Sequence, residues 1–383
     1  MGAISTEENS DSSPEIRMDL PPLFIGDLEV PLPLFQGGMS VGVSLAGLSS
    51  AVANEGGLGI IGTAGIGLLY PRMGEEYADA NATALKAEIA KARTMTDGLI
   101  GTNILMALTD YDSLINASLD AGADVILLGA GKFLMAPPTV DMERIRTSKT
   151  KIIVIVSSAK SVEVMFKFWN KRYNFVPDAV VVEGPMAGGH IGFTREDAAD
   201  PNVRLESIIP EVVKIIANYE QQYNQRIPVI AAGGVYTGAD IARYLALGAR
   251  GVQMGTRFVA THECDASIEF KQAHLNAKKE DVVVIKSPVG LPGRAISNEY
   301  LDDVKDGLKT PKSCAWKCLR TCEWQTTPYC IALALLSAQR GKLDRGFAFA
   351  GSNAWRSEKL VHVSELIQEL KDGFSEAILP PQE

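Results

Sequence analysis

The sequence predicts a (β/α)8 TIM barrel carrying a C-terminal, cysteine-containing extension, and three observations support it. Eight short apolar runs rich in β-branched residues recur over the first two thirds of the chain. Amphipathic stretches of helical period lie between them, which is the alternation of parallel strands and crossover helices. The chain has 383 residues. A barrel alone needs about 250, so a further segment follows the last run.

Residues 1–17 are polar and acidic and read as a mobile tail. The start Met1-Gly2-Ala3-Ile4-Ser5-Thr6 fits the short myristoylation pattern, but no basic second anchor follows it. The runs at 32–36, 57–63, 99–104, 124–128, 151–157, 179–183, 228–232 and 251–255 are the eight strands, each short and bounded by glycine or polar residues. Helices are expected at 80–95, 110–121, 161–173, 207–223 and 237–247, the last stopped by Gly248. The barrel thus occupies 18–280. From 281 to 383 the pattern changes to a polar stretch, then Val289-Gly290-Leu291-Pro292-Gly293-Arg294, a cysteine segment and a helix at 364–370. This extension should fold over the barrel, because its apolar residues need a surface to bury against.

Composition excludes several classes of protein. With 46% hydrophobic and 22% charged residues the chain can build a sizeable core and is not disordered as a whole. Its 37 Lys+Arg against 46 Asp+Glu, a net charge of -9, argue against a broad surface for nucleic acid or anionic membrane while leaving room for a local phosphate site. No apolar stretch reaches the ~18–20 residues that span a bilayer, and the N-terminus has no secretory pattern. Five cysteines, four of them between 314 and 330, do not make a distributed disulfide framework, so cytoplasmic residence is expected. A monomer and a homo-oligomer both stay open.

Barrel active sites lie at the C-terminal ends of the strands, and glycine dominates there. Gly37-Gly38 follows run one, Gly129-Ala130-Gly131 run four, Gly184 with Gly188-Gly189 run six, Gly233-Gly234 run seven and Gly255-Thr256 run eight. Any single pair could serve a tight turn. Their concentration on one rim favours close backbone approach to a ligand. Loops after strands seven and eight commonly bind phosphate through backbone amides, so Gly233, Gly234, Gly255 and Thr256 are read as a cradle for a phosphate ester. The loop from Gly184 to Arg204 is the longest of the barrel, a length often found in lids.

His190 lies in that loop among Gly188, Gly189 and Gly192, on the rim where chemistry is expected. A lone histidine is commonly structural, but this position suits a catalytic acid or base near neutral pH. His262, His274 and His362 lie on helical or tail patterns and read as structural. Two motifs are set aside. Gly57-Leu58-Gly59-Ile60-Ile61-Gly62 fits the dinucleotide fingerprint, yet its glycines fall inside a strand-like run. Gly38-Met39-Ser40-Val41-Gly42 fits the nucleophile elbow, but follows the first strand of a barrel rather than the middle of an open sheet.

The cysteines read Cys314-x3-Cys318-x3-Cys322-x7-Cys330. A spacing of four would line three sulfurs along one helix face, with Cys330 returning to close a four-thiolate zinc or iron–sulfur site. Against this, knuckles and ferredoxins use tighter spacings, and free cysteine is a common buried residue.

Taken together, Phe35-Gln36-Gly37-Gly38-Met39, Gly101-Thr102-Asn103, Ala187-Gly188-Gly189-His190-Ile191-Gly192 and the loops after runs seven and eight resemble the nitronate monooxygenase family, formerly the 2-nitropropane dioxygenases, and the related FMN-dependent enoyl-acyl-carrier-protein reductases. The likeness runs from about Leu32 to Arg257, with further matches at Gly290 to Asn298 and near Gly351. It implies that the phosphate belongs to FMN, with Asn103 and the backbone around Gly38 and Met39 near its ring system. It also implies oxidation of an alkyl nitronate with O2 to a carbonyl compound and nitrite. The alternative is NAD(P)H-dependent reduction of an enoyl thioester or quinone. Family members often carry an acidic residue before Ala-Gly-Gly-His, where this chain has Met186. A barrel dehydrogenase of nucleotide monophosphates would need a nucleophilic cysteine after run six, and none occurs between Gly184 and Arg204. A non-catalytic flavin-binding regulatory protein would hold FMN without turnover.

Overall fold

In the computed structural model, residues 19–70 and 76–379 are described, so the tail expected at 1–17 lies outside the described residues. An antiparallel hairpin, β1 (Leu23–Ile25) and β2 (Leu28–Val30), precedes the barrel. Its Leu23, Ile25 and Val30 join the apolar interior of the barrel and plug its N-terminal end. The barrel strands are β3 (Leu34–Gln36), β4 (Gly59–Gly62), β5 (Ile100–Leu105), β6 (Val125–Gly129), β7 (Lys151–Val156) and β8 (Ala179–Glu183). After a two-residue β9 (Gly189–His190) come β10 (Val229–Ala232) and β11 (Gly251–Met254). Each of the eight expected runs coincides with one strand to within two residues.

These eight strands form one parallel sheet in the order β3-β11-β10-β8-β7-β6-β5-β4. The barrel closes between β3 and β4, where the Gln36 amide donates to Leu58 O at 3.0 Å and the Leu58 amide to Leu34 O at 2.9 Å. Along β8 the residues alternate: Val181 faces the interior with Ile60, Val125 and Ile153, whereas Val180 and Val182 face the helices. Burial on both faces is why the runs are predominantly apolar. Helices Tyr77–Arg93, Tyr111–Asp120, Ala159–Tyr173, Leu205–Tyr223 and Gly238–Ala246 stand where their period places them, and Ala46–Asn54 completes the turn after β3.

After β11 the chain makes the short helix Thr256–Val259 and then Ile268–Asn276. The outer layer at the barrel seam is supplied by the C-terminal helix Val363–Ile378, which packs against Gly238–Ala246 and Ala46–Asn54. It runs past the expected end at 370 because Phe374 continues the buried stripe of Leu366, Ile367 and Leu370 by another turn.

Between these parts, β12 (Val282–Lys286) and β13 (Pro292–Ile296) form a three-stranded antiparallel sheet with β9. The long loop after β8 is therefore pinned at its centre rather than free to move as a lid. The cysteine segment covers the C-terminal face: the Thr109 amide donates to Cys318 O at 3.1 Å and the Arg320 amide to Ala107 O at 2.9 Å. This corrects the helical reading of Cys314, Cys318 and Cys322. Lys317 has φ +46 and Leu319 bridges to Leu108, so the backbone is committed to turns and to the barrel rim, and the three sulfurs share no helix face. No helix among the described residues is long and apolar enough to cross a membrane.

Candidate active site

One pocket opens at the C-terminal end of the barrel. Its walls include Gly37, Gly38 and Met39 after β3, Asn103 on β5, Gly188, Gly189 and His190 in the loop after β8, Gly233 and Gly234 after β10, and Gly255 and Thr256 after β11. The structure thus brings the expected rim residues to one space, although they span more than two hundred positions of sequence; the exceptions are Gly131 and Gly184, which do not line it.

At one end Gly233 and Gly234 have φ +87 and +98. L side chains rarely adopt this region, and a Cβ at Gly233 would also lie 2.9 Å from Gly184 O. None of the hydrogen bonds among the described residues uses the amides of Gly234, Val235 or Thr256. The extension closes this end, as the Gly351 amide donates to Thr256 Oγ1 at 2.9 Å and Asn353 Nδ2 to Gly234 O at 2.9 Å. With its oxygen accepting, the Thr256 hydroxyl keeps its own proton to donate. The result is a concave set of amides and a hydroxyl suited to a phosphate.

At the other end Asn103 Nδ2 donates to Gly38 O at 3.0 Å. The two backbones approach so closely that a Cβ on Gly38 would lie 2.3 Å from Asn103 Cβ. Asn103 Oδ1 and Gln253 Oε1, both on the pocket wall, are buried without a hydrogen-bond partner. Orphaned acceptors cost about 1–3 kcal/mol each, so a ligand that donates here is called for. A phosphate ester at one end and a ring imide N–H at the other are features of FMN, and the residues present fit it.

His190 sits between these ends and the extension. Its backbone pairs with Gly293 of β13, its Nε2 lies 2.7 Å from Ser287 Oγ, and its ring meets Phe349 edge-on with centroids 5.0 Å apart. Burial lowers its pKa to about 4, so the imidazole is neutral across the physiological range rather than titrating near pH 7.

Sequence reasoning missed Glu183, the last residue of β8, which faces the pocket. Burial raises its carboxyl to about 8, opposed by the charge of Arg294. Arg294 is itself buried on β13 and donates from Nη1 to Pro185 O at 2.6 Å and to Ala187 O, fastening the loop that carries His190. The signal was present: an otherwise apolar strand ends in a carboxylate at the catalytic rim. Of the cysteines, Cys318 reaches the pocket, and burial pushes its thiol up to about 12, with the neighbouring thiols acting in the same direction. Among the described residues no group of three or more His, Cys, Asp or Glu is placed to hold a metal ion, so zinc or an iron–sulfur cluster at Cys314, Cys318, Cys322 and Cys330 has no support in the structure.

Comparison with known proteins agrees with this geometry. The nitronate monooxygenase family model matches residues 23–114 and 109–373. A Mycobacterium tuberculosis protein named (3aS,4S,5R,7aS)-5-hydroxy-7a-methyl-1-oxo-octahydro-1H-indene-4-carboxyl-CoA dehydrogenase is 30% identical over 277 residues, which cover 72% of this chain and 66% of that protein, just under two thirds of its length. A Staphylococcus haemolyticus protein named probable nitronate monooxygenase is 27% identical over 306 residues, covering 73% of this chain and 78% of that one. The solved structure of FabK from Thermotoga maritima superposes with a TM-score of 0.68 at 26% identity, over 91% of this chain and 94% of that one. The amide cradle, the unpaired acceptors facing it and the match along nearly the whole chain lead to one conclusion: this chain belongs to the nitronate monooxygenase family and is an FMN-dependent oxidoreductase.

Proposed function

We propose that the protein oxidises an alkyl nitronate with O2, giving a carbonyl compound and nitrite. The observation that carries this reading is the neutrality of His190 and Glu183, both of which face the pocket. Burial keeps His190 unprotonated above about 4 and Glu183 protonated below about 8, so near pH 7 neither places a charge there. An anionic nitronate therefore meets no carboxylate, and the Glu183 O–H can donate a hydrogen bond to a nitro oxygen. A neutral imidazole can take the α-proton of a nitroalkane and so generate the nitronate in place. FMN, when bound, supplies the electron chemistry. The amides of Gly234, Val235 and Thr256 would hold its phosphate, while Asn103 and Gln253 would orient its ring. Leu105, Leu108, Leu319 and Ile331 give the substrate an apolar wall that limits water.

A second reading is NAD(P)H-dependent reduction of an enoyl thioester or quinone. It is favoured by one observation, the 30% identity to a protein named as a carboxyl-CoA dehydrogenase. Anaerobic mixing separates the two. Bleaching of the flavin absorbance by an alkyl nitronate, with no response to NAD(P)H, supports nitronate oxidation. Fast bleaching by NAD(P)H alone transfers the assignment to the reductase. A cytoplasmic location and a small-molecule substrate complete the reading.

A further inference from the structure

Among the described residues, five that are not glycine have positive φ, and three of them have an ordinary explanation. Asn174 and Asn224 are the left-handed caps that end helices Ala159–Tyr173 and Leu205–Tyr223, a place that asparagine tolerates. Lys317 turns the cysteine segment. Val41 at φ +54 and Ala130 at φ +49 end no helix, and both line the pocket. Val41 is the more strained of the two, because a branched Cβ crowds the backbone in this region. Such a conformation persists only where its surroundings over-determine it, and it concentrates at functional sites.

The loop after β3 is tied down on both sides of Val41. Its own amide donates to Ala64 O at 3.2 Å. Before it, the Met39 amide donates to Ser44 Oγ at 2.8 Å and the Ser44 amide to Met39 O at 3.0 Å. After it, Gln339 Nε2 of the extension helix Ile331–Gln339 donates to Gly42 O at 3.3 Å. The Met39 backbone also lies so close to β4 that a Cβ on Gly62 would be 2.5 Å from Met39 O. Val41 therefore cannot relax without breaking these contacts. Its side chain is 4% exposed, yet it belongs to neither of the two apolar clusters of the core. What it shapes is the pocket. The apolar wall there includes Leu108 and Leu319, joined by a β-bridge, and Ile331 of the extension.

We propose that Val41 is a specificity-determining residue: the left-handed backbone of the loop after β3 drives its branched side chain into the pocket, where it limits the size of the substrate's alkyl group. A β-branched side chain is stiff about χ1, so it cannot swing aside as a linear one would. The strain and the stiffness serve one end, a fixed apolar stop on the barrel side of the substrate wall. That the alkyl group belongs to a nitronate rests on the function proposed above. The stop itself does not.

The experiment compares Val41→Ala with Val41→Gly in the flavin-bound protein. Both remove the branched methyl groups, but only glycine removes the Cβ. At most positions alanine is the more stable of the two; at positive φ the order reverses, so Val41→Gly should unfold about 2 °C or more above Val41→Ala. Propanamide and cyclohexanecarboxamide, neutral and unreactive toward either oxidation or reduction, are then titrated and read by the perturbation of flavin absorbance. The Kd of the bulky amide relative to the small one should fall about tenfold in both variants, the order of effect that a methylene or two has in an apolar pocket. The kcat/KM ratio for the nitronates of nitrocyclohexane and nitroethane should shift the same way. Unchanged amide selectivity in both variants overturns the proposal, as does the absence of amide binding to every form. A Val41→Ala more stable than Val41→Gly overturns the strained backbone on which it stands. Loss of FMN affinity without a change in selectivity also overturns it, making Val41 a support for the flavin. If the amide selectivity shifts but no nitronate turns over, the proposed function fails and the role of Val41 stands.

Discussion

Replacing Gly255 by alanine tests the phosphate cradle with little disturbance of the protein. The residue has φ -112, open to any side chain, and the new Cβ would meet nothing nearer than Met39 Sδ at 3.6 Å, an ordinary contact. The fold should not suffer, since removing the freedom of glycine from the unfolded chain favours the native state by about 0.4–1 kcal/mol. Any loss must then come from the ligand side. A methyl that displaces the phosphate from one charge-assisted hydrogen bond removes ~1.5–3 kcal/mol. At about 1.4 kcal/mol per tenfold, Kd for FMN should rise roughly 10- to 150-fold. Gly234 is a poorer choice, because its φ of +98 loads any side chain with backbone strain that by itself could release the flavin. The assay is fluorescence titration of FMN into the deflavinated variant, together with thermal unfolding of the same sample. A Kd within about twofold of wild type, at equal Tm, would refute the cradle, because so small a change is under about 0.5 kcal/mol.

Three further outcomes follow from the same structure. His190 and the fully buried His274 are both lowered by burial from 6.5 to about 4. Each favours its neutral form in the fold, so its contribution, up to about 3 kcal/mol, is complete above pH 6.5 and lost as pH falls through about 4. Urea unfolding at pH 7 and 4.5 should show the loss, and equal stabilities would contradict it. Glu183 has the opposite sign: raised from 4.5 to about 8, it contributes fully below pH 4.5 and the contribution disappears as pH rises through about 8. Glu183→Gln should flatten the fall in stability between pH 6 and 9, and an unaltered slope would place the titrating group elsewhere. Finally, a Cβ on Gly238 would lie 2.1 Å from Phe374 N and 2.3 Å from Leu370 O, both backbone atoms. Gly238→Ala should therefore destabilise by ~1–3 kcal/mol despite its better helix propensity; a rise in Tm would show that the C-terminal helix does not sit tightly on this seam.

Strand positions were legible in the sequence because a strand buried on both faces must be short, apolar and punctuated, and runs such as 151–157 and 179–183 can satisfy that in few other ways. The rim glycines were legible for a related reason. Positive φ at Gly233 and Gly234 and the close backbone contact at Gly38 are local demands that only glycine meets, and they recur at strand ends. Assigning the phosphate to FMN took the resemblance of whole segments rather than spacing. Other features depend on groups distant in sequence. The spacing of the cysteines is helical, yet their backbone pairs with Ala107 and Thr109 on the barrel rim, a competitor that lies two hundred residues away. The helix that covers the barrel seam comes from the chain end, more than a hundred residues after β11, because Gly238 and Gly373 let the two helices approach there. Glu183, Arg294 and Ser287 read as ordinary polar residues in the sequence. The tertiary structure gives them roles by removing water: a carboxyl keeps its proton, a guanidinium binds two carbonyls, and a hydroxyl meets an imidazole nearly a hundred positions away only because β9 pairs with β13 and β13 with β12. Sequence sets such local preferences, but desolvation and long-range pairing exist only once the chain has closed on itself.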